Sequence, residues 1–224
     1  MIIMRNHRKI ISFDLDGTLV SARFGDMVWN HGIPMEFAKR YALRFDDAQK
    51  IVMGEYRTLG DRDLLWYDIV YWLKRFNLSI SPEELLKRYE DYIIPDKDAK
   101  DVLGRLKERY TLIVASNAAR IFVEKELKHT GLELYFHRII SATSDYGMVK
   151  KGEDFYKRLC SEMDASANDF IHIGDHPIFD YKAPISLGIE AYLFKSQDPF
   201  FSIYHAEDIE EKTISSLKEL EVLL

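Results

Sequence analysis

Cysteine is nearly missing from this chain of 224 residues: Cys160 is the only one. No internal disulfide and no cysteine-based zinc site can form, and a reducing, cytoplasmic setting is the expectation. No apolar run of about 18 residues occurs, so no membrane-spanning helix is expected. The opening stretch MIIMRNHRKIISF lacks both a long apolar segment and a small-residue cleavage site. It reads as the lead into a buried strand rather than as a signal peptide. A basic surplus is missing too. Lys and Arg number 31 against 37 Asp and Glu, giving a net charge of -6 and a pI near 5.7. A phosphate backbone is bound through excess positive charge, so a nucleic-acid polymer is not the expected partner. A local basic pocket for a small anion remains open. The chain also shows no internal repeat and no low-complexity linker.

What is present is ordinary globular material, 47% hydrophobic, long enough for one large domain or a core with a smaller insert. The most informative stretch is KIISFDLDGTLV, Lys9 to Val20. A short apolar run (Ile10, Ile11, Phe13) leads into two carboxylates, Asp14 and Asp16, followed by Gly17 and Thr18. At a strand's end the chain leaves the sheet, and both acids can aim into one crevice. Carboxylates that close repel unless a cation or a shared proton offsets the charge. The pattern is a candidate metal or acid/base site.

From Ser21 to about Ile94 the periodicity is helical. Pro34 is placed to open a helix, Phe45 to Tyr56 forms another, and Asp61 to Phe76 reads as one strongly apolar helix. Ser81-Pro82-Glu83-Glu84 is a helix start, with a capping hydroxyl, a first-turn proline and first-turn acids. This block of about 70 residues is enough for a small bundle. From Pro95 onward helix and strand alternate. Strands are expected at Thr111–Ser116, Arg138–Ala142, Asp169–Asp175 and Glu190–Phe194, with helices between them and a closing helix in the tail from Asp208 to Leu224. Such alternation gives a parallel sheet covered by helices on both faces.

Ligands of open parallel sheets bind beyond the carboxyl ends of the strands. The first strand ends in Asp14, Asp16, Gly17 and Thr18, the second in Ser116 and Asn117. The third leads into SDYGMVKKG with Lys150 and Lys151, and the fourth ends in Gly174 and Asp175, with Asp180 five residues on. Each group alone is commonplace. A hydroxyl, a cation and several carboxylates converging from four strand ends are not.

In that order and at those places, the groups resemble the four motifs of the haloacid dehalogenase (HAD) superfamily. The resemblance covers about residues 7–20 and 95–195. It implies a Rossmann-like α/β core at residues 1–20 and 95–224 and a C1-type helical cap at 21–94. It further implies a Mg²⁺-dependent phosphatase acting on a small phosphorylated metabolite of phosphoglycolate, sugar-phosphate or nucleotide type, as a monomer or homodimer. By resemblance Asp14 is the nucleophile that becomes an aspartyl-phosphate, and Asp16 is the general acid/base. The Asp14 carboxylate, the Asp16 main-chain carbonyl and Asp175 would hold Mg²⁺, with Asp180 supporting the metal's waters. Ser116 and Asn117 would bind phosphate, together with Gly17 and Thr18, which also shape the turn. The site lysine is expected at Lys150, on the spacing from Gly147 and the aromatic at Tyr156, ahead of Lys151. Relatives that displace halide lack the second aspartate, so Asp16 favours phosphoester hydrolysis over dehalogenation. A phosphomutase uses the same acids. A phospho-acceptor module gathers similar groups but carries no insert after its acceptor acid. Substrate choice is expected in the insert, above all in Phe24–Gly32. Arg23, Trp29, His31, Arg40, Arg44, Arg57, Arg62 and Asp63 are candidates to reach the site, and Trp29 is expected first as a packing residue.

Overall fold

The segment β1 (Ile10–Phe13) occupies the middle of an all-parallel sheet. The structure, a computed structural model, describes residues 8–196, 201 and 212–224. Across the sheet run β3 (Arg138–Ser141), β2 (Thr111–Ser116), β1, β4 (Phe170–Gly174), β5 (Glu190–Phe194) and β6 (Thr213–Ile214). In register, Phe13 lies beside Val114 on one side and Ile173 on the other. All four residues of β1 are buried, as a strand covered on both faces requires. Ile11 and Phe13 face one layer with Leu112, Val114, Ile171 and Ile173. Ile10 faces the other with Ile113, Ala115 and Phe170, beneath Phe155, Tyr156 and Leu159 of the helix Glu153–Glu162. The chain steps outward from β1 to β2 and β3, then returns to β4 on the other flank. That reversal opens a crevice at the carboxyl ends of β1, β2 and β4.

Between Val20 and Pro95 every described element is helical. The chain leaves and returns through paired linkers: Ser21 N–H donates to Ile94 O at 2.9 Å, and Asp96 N–H donates to Leu19 O at 2.9 Å. A continuous helical run then spans Arg23–Tyr41, with a wide π turn at Val28–Gly32 in its middle. Pro34 therefore lies inside a helix rather than opening one. A proline withholds the donor that the carbonyl four residues back would accept. Here the Asn30 carbonyl is satisfied instead by the Gln49 side chain at 2.8 Å, and the Trp29 carbonyl by the Tyr56 hydroxyl at 3.3 Å. A π turn of this kind is the usual response to a disturbed helical ladder.

The single helix expected over Asp61–Phe76 is broken in two. A 3₁₀ turn at Leu64–Tyr67 precedes a helix at Ile69–Arg75. The Asp68 carboxylate accepts from Val70 N–H at 2.8 Å and Tyr71 N–H at 3.2 Å, capping the second piece. Leu64, Leu65 and Val70 remain substantially exposed, so the apolar run is not buried all round. In the tail the described residues hold the short strand β6, a 3₁₀ turn at Leu217–Glu219 and a helix at Leu220–Leu223. The start of the expected tail helix, 208–211, lies outside the described residues.

Two glycines give a paired test of the backbone. Gly131 ends the helix Arg120–Thr130 at φ +70, with open space where a Cβ would sit. Gly17 has φ +83, and a Cβ there would lie 2.4 Å from Asp175 Oδ2 and 2.7 Å from Phe201 O. In urea unfolding, Gly131→Ala is expected to cost about 1 kcal/mol from conformation alone. Gly17→Ala is expected to cost about 2–3 kcal/mol or more, because steric conflict adds to the strain.

Candidate active site

Asp14 leaves β1 with its N–H bonded to Ile173 O at 2.8 Å, so the sheet fixes its backbone. The next residues close into a tight turn: Leu19 and Val20 N–H both donate to Leu15 O, at 2.9 and 3.0 Å, and Gly17 N–H donates to Val20 O at 2.7 Å. Asp14 and Asp16 thereby reach one cavity of about 430 Å³, together with Ser116, Asn117, Asp175 and Asp180. Groups from three of the four strand-end motifs meet there, and Lys150 adds the fourth to the lining.

The lysine that reaches Asp14 is Lys151, which corrects the placement of Lys150. Lys151 is wholly buried. Its Nζ contacts Asp14 Oδ1, lies 2.7 Å from Asp180 Oδ1 and donates to Ala115 O at 2.8 Å. Its backbone N–H donates to Asn117 Oδ1 at 2.8 Å. Asn117 thus holds the lysine loop. Lys150 points to the cavity's outer part instead, 3.4 Å from Asp61 of the helical insert and over the rings of Tyr67 and Phe179. The loop between Gly147 and Glu153 has no helical or strand period, so spacing alone could not choose between adjacent lysines.

Other expected contacts are also displaced. Gly17 and Thr18 do not line the cavity: Gly17 is packed under Asp175, and Thr18 is fully buried. Ser116 does face the cavity, and its Oγ accepts from Ala118 N–H at 3.0 Å. His176 caps the turn that follows it, its Nδ1 accepting from Ile178 N–H at 3.1 Å, while its ring also lines the cavity. Of the insert candidates, Trp29 reaches the cavity wall. It is stacked between Phe122 of the core (5.4 Å, 17°) and Trp66 of the insert (6.2 Å, 26°). The others are engaged elsewhere or lie off the wall: His31 Nδ1 is 3.0 Å from Tyr89 OH, and Asp63 caps the turn after it at 2.9 Å. Arg23, Arg40, Arg44, Arg57 and Arg62 are not among the lining residues.

Asp14, Asp175 and Asp180 each offer an oxygen within 4.8 Å of the others, all three buried. Burial raises the Asp14 carboxyl to about 8, and the charges of Asp180 and Asp16 add to the rise against the pull of Lys151. Asp175 is pushed well up by burial and by the charges of Asp14 and Asp180. Asp180 goes the other way despite burial, because Lys151 and His172 hold its charge. For Lys151 burial alone would favour the neutral amine, but Asp14 and Asp180 outweigh it and raise its pKa. Asp16 is raised by burial. These buried carboxyls outnumber the one ammonium, so their charged forms are disfavoured until a cation joins them, and as hard oxygen donors they fit a small divalent cation. Gly17 contributes by leaving the Asp175 oxygen unobstructed.

Two residues of the site had no sequence signal. Glu126, on the helix Arg120–Thr130, is fully buried, and its carboxyl shares a hydrogen bond with that of Asp16. It sits against Asp16; burial and that neighbour's charge push its pKa well up, which keeps it protonated. His172, inside β4, contacts Asp180 at 3.0 Å. Burial lowers its pKa and favours the neutral ring.

Comparisons with known proteins identify the relatives of this chain. A family model of haloacid dehalogenase-like hydrolases matches residues 8–188. The chain is 23% identical over 172 residues to the GMP/IMP nucleotidase YrfG of Escherichia coli (strain K12), covering 74% of this chain and 73% of that protein. Its fold is similar to that of a HAD phosphatase from Thermococcus onnurineus, with a TM-score of 0.80, 23% identity, and coverage of 96% of this chain and 97% of that one. It is also similar to the putative HAD-hydrolase YfnB from Bacillus subtilis bound to magnesium, with a TM-score of 0.60, 18% identity, and coverage of 97% and 99%. The match spans most of the chain and includes every strand end that builds the cavity: the protein belongs to the haloacid dehalogenase-like hydrolases.

Proposed function

We propose that this protein is a Mg²⁺-dependent phosphatase that acts on a small phosphorylated metabolite through an aspartyl-phosphate on Asp14. The observation that carries the reading is a buried carboxylate at a strand end, held by a buried lysine, facing a second carboxylate across one cavity. Lys151 engages Asp14 Oδ1, which leaves Oδ2 to attack phosphorus in line. The P–O bond to the leaving alcohol breaks, and Asp16, whose burial favours its protonated form, gives the alkoxide a proton. Asp16 then takes a proton from water, which attacks the phosphorus of the Asp14 adduct and releases phosphate. Ser116, whose Oγ already accepts from Ala118 N–H, would donate its hydroxyl proton to a phosphate oxygen. The Asp14 carboxylate, the Asp16 carbonyl and Asp175 would hold Mg²⁺, with Asp180 behind them; when bound, the ion offsets the repulsion between these acids and an anionic substrate.

The far wall of the cavity supports a narrower substrate class. It is built from Trp29, Trp66, Tyr67, Phe122 and Phe179. The charged groups there, Lys150 and Asp61, already face each other at 3.4 Å. Sugar hydroxyls would find few partners on such a wall, whereas a planar base buries apolar area against it. A nucleoside monophosphate is the first choice, in keeping with the nucleotidase relative. Residues 21–94 act in this reading as the cap that carries part of the specificity wall.

Hydrolysis of p-nitrophenyl phosphate with Mg²⁺ is the primary test; a pure protein that turns over no ester refutes the phosphatase. Asp14→Asn is expected to lower kcat by about 10³-fold or more, and Lys151→Met by about 10²–10³-fold. Lys150→Met is expected to act mainly on KM. Against a panel, a purine nucleoside monophosphate should exceed phosphoglycolate and sugar phosphates in kcat/KM by about tenfold; the reverse order removes the nucleotide assignment. Metal removal gives an independent measurement. The raised carboxyl of Asp14 favours folding when protonated, so that contribution is present below about pH 4 and lost as pH climbs through about 8, and Asp175, also raised, adds in the same direction. In chelator, Tm should fall between pH 5 and 8 by about 2–4 °C per kcal/mol lost, and Mg²⁺ should recover it. Asp180, lowered instead, contributes above the ordinary carboxylate range and loses that contribution on acidification.

A further inference from the structure

Among the described residues, the buried part of the sheet face beneath the helix Glu153–Glu162 is apolar except at one place. Ser12 of β1 and His172 of β4 lie side by side in register there, both essentially without solvent exposure. Their neighbours Ile10 and Phe170 show what such positions ordinarily hold. A buried hydroxyl and a buried imidazole cost stability unless they are paired, and an apolar pair of similar volume would be cheaper. Here both are paired, and Ser12 Oγ also lies 3.5 Å from Ile171 O, a longer contact than the one to the ring. Ser12 Oγ is 2.7 Å from His172 Nδ1. His172 Nε2 is 3.0 Å from Asp180 Oδ1, and that same oxygen is 2.7 Å from Lys151 Nζ. Lys151 in turn contacts Asp14. The Tyr156 ring stands edge-on to the imidazole at 5.3 Å and 76°, leaving the ring little room to turn.

The donors and acceptors in this line can be assigned. An ionised Asp180 only accepts, so His172 Nε2 must carry a proton. With a neutral ring, Nδ1 is the acceptor and the Ser12 hydroxyl is its donor. Asp180 then receives His172 on Oδ1, Lys151 on Oδ1, and the His176 N–H on Oδ2 at 3.0 Å. Removing the imidazole would leave Asp180 Oδ1 to Lys151 alone, so that the carboxylate, anchored by its His176 bond, can turn and shift Lys151 relative to Asp14.

We propose that Ser12 and His172 are positioning residues of the active site: Ser12 fixes the tautomer of His172, and His172 fixes Asp180 so that Lys151 is held on Asp14. The proposal rests on the reading of Asp14 as nucleophile, and it adds two residues that never touch substrate. Because the chain of contacts ends on the attacking carboxylate and not on the aromatic wall, its loss should appear in kcat rather than in KM.

The test uses the full-length protein with p-nitrophenyl phosphate and Mg²⁺, and the variants His172→Leu, His172→Gln and Ser12→Ala. Urea unfolding is run in parallel. His172→Leu keeps the volume without the donor and is expected to lower kcat by about 10–100-fold, with KM within about threefold. His172→Gln restores an N–H donor and should recover kcat to within about fivefold of wild type. Ser12→Ala should fall between them. A ¹⁵N-histidine NMR spectrum, with the His172 signal identified by its loss in His172→Gln, should show the Nε2–H tautomer in wild type and a changed ring signal in Asp180→Asn. The proposal is overturned by a His172→Leu variant with wild-type kcat. Equal kcat losses in the Leu and Gln variants that track equal losses of stability also overturn it, as does an Nδ1–H tautomer. If the wild-type protein hydrolyses no ester, the phosphatase reading fails on its own. The tautomer and its response to Asp180→Asn then still decide whether the hydrogen-bond line exists.

Discussion

One buried ammonium orders the site. Lys151 is surrounded by Asp14, Asp180 and the Ala115 carbonyl with no solvent exposure. Desolvating a charge of that size is unfavourable by several kcal/mol unless its partners are well placed. The partners are well placed because each is held by a different strand end, and the sheet sets the strand ends. Asp14 follows β1, Ala115 lies in β2, and Asp180 follows β4. The fold and the site are thus coupled through a single charge. Displacing it leaves a cluster of acids with no cation in contact among the described residues.

The rest of the cavity divides by chemistry. Its floor is polar and comes from the sheet; its far wall is aromatic and joins the sheet's helices to the insert. The stack of Phe24, Phe122, Trp29 and Trp66 runs between them, and the Lys125–Glu90 ion pair adds a second contact. Exposed ion pairs contribute little, whereas buried aromatic area contributes more. The aromatic stack is therefore the stronger connection, and it is also what a substrate's leaving group would meet.

Most of the sheet and the acids was legible in the sequence. β2 and β5 fall on the expected residues because a β-branched or apolar run bounded by polar and glycine positions admits few other readings. Asp14, Asp16, Asp175 and Asp180 were visible as strand-end acids. Lys151 was not separable from Lys150, since both sit in an aperiodic loop whose register is set by three-dimensional contacts such as that to Asn117. Asp68 was hidden within an apolar run that looked like one helix. Glu126 and His172 were invisible for another reason. Both occupy positions that periodicity assigns to the core, and a polar residue there declares itself only through its three-dimensional neighbours. Gly17 and Thr18 were expected to touch phosphate, but their work is done behind the wall.

Two positions in the site carry no side chain at all. A Cβ on Gly17 would lie 2.4 Å from Asp175 Oδ2, and one on Gly174 would lie 2.4 Å from Asp180 Cγ. Each glycine borders a carboxylate that needs freedom to face the cavity. A survey of tolerance to substitution would therefore rank these two positions among the reacting groups, though neither moves a proton nor meets a ligand. Sensitivity at such places measures the clearance around a carboxylate, and intolerance alone is a poor guide to which atoms perform the chemistry.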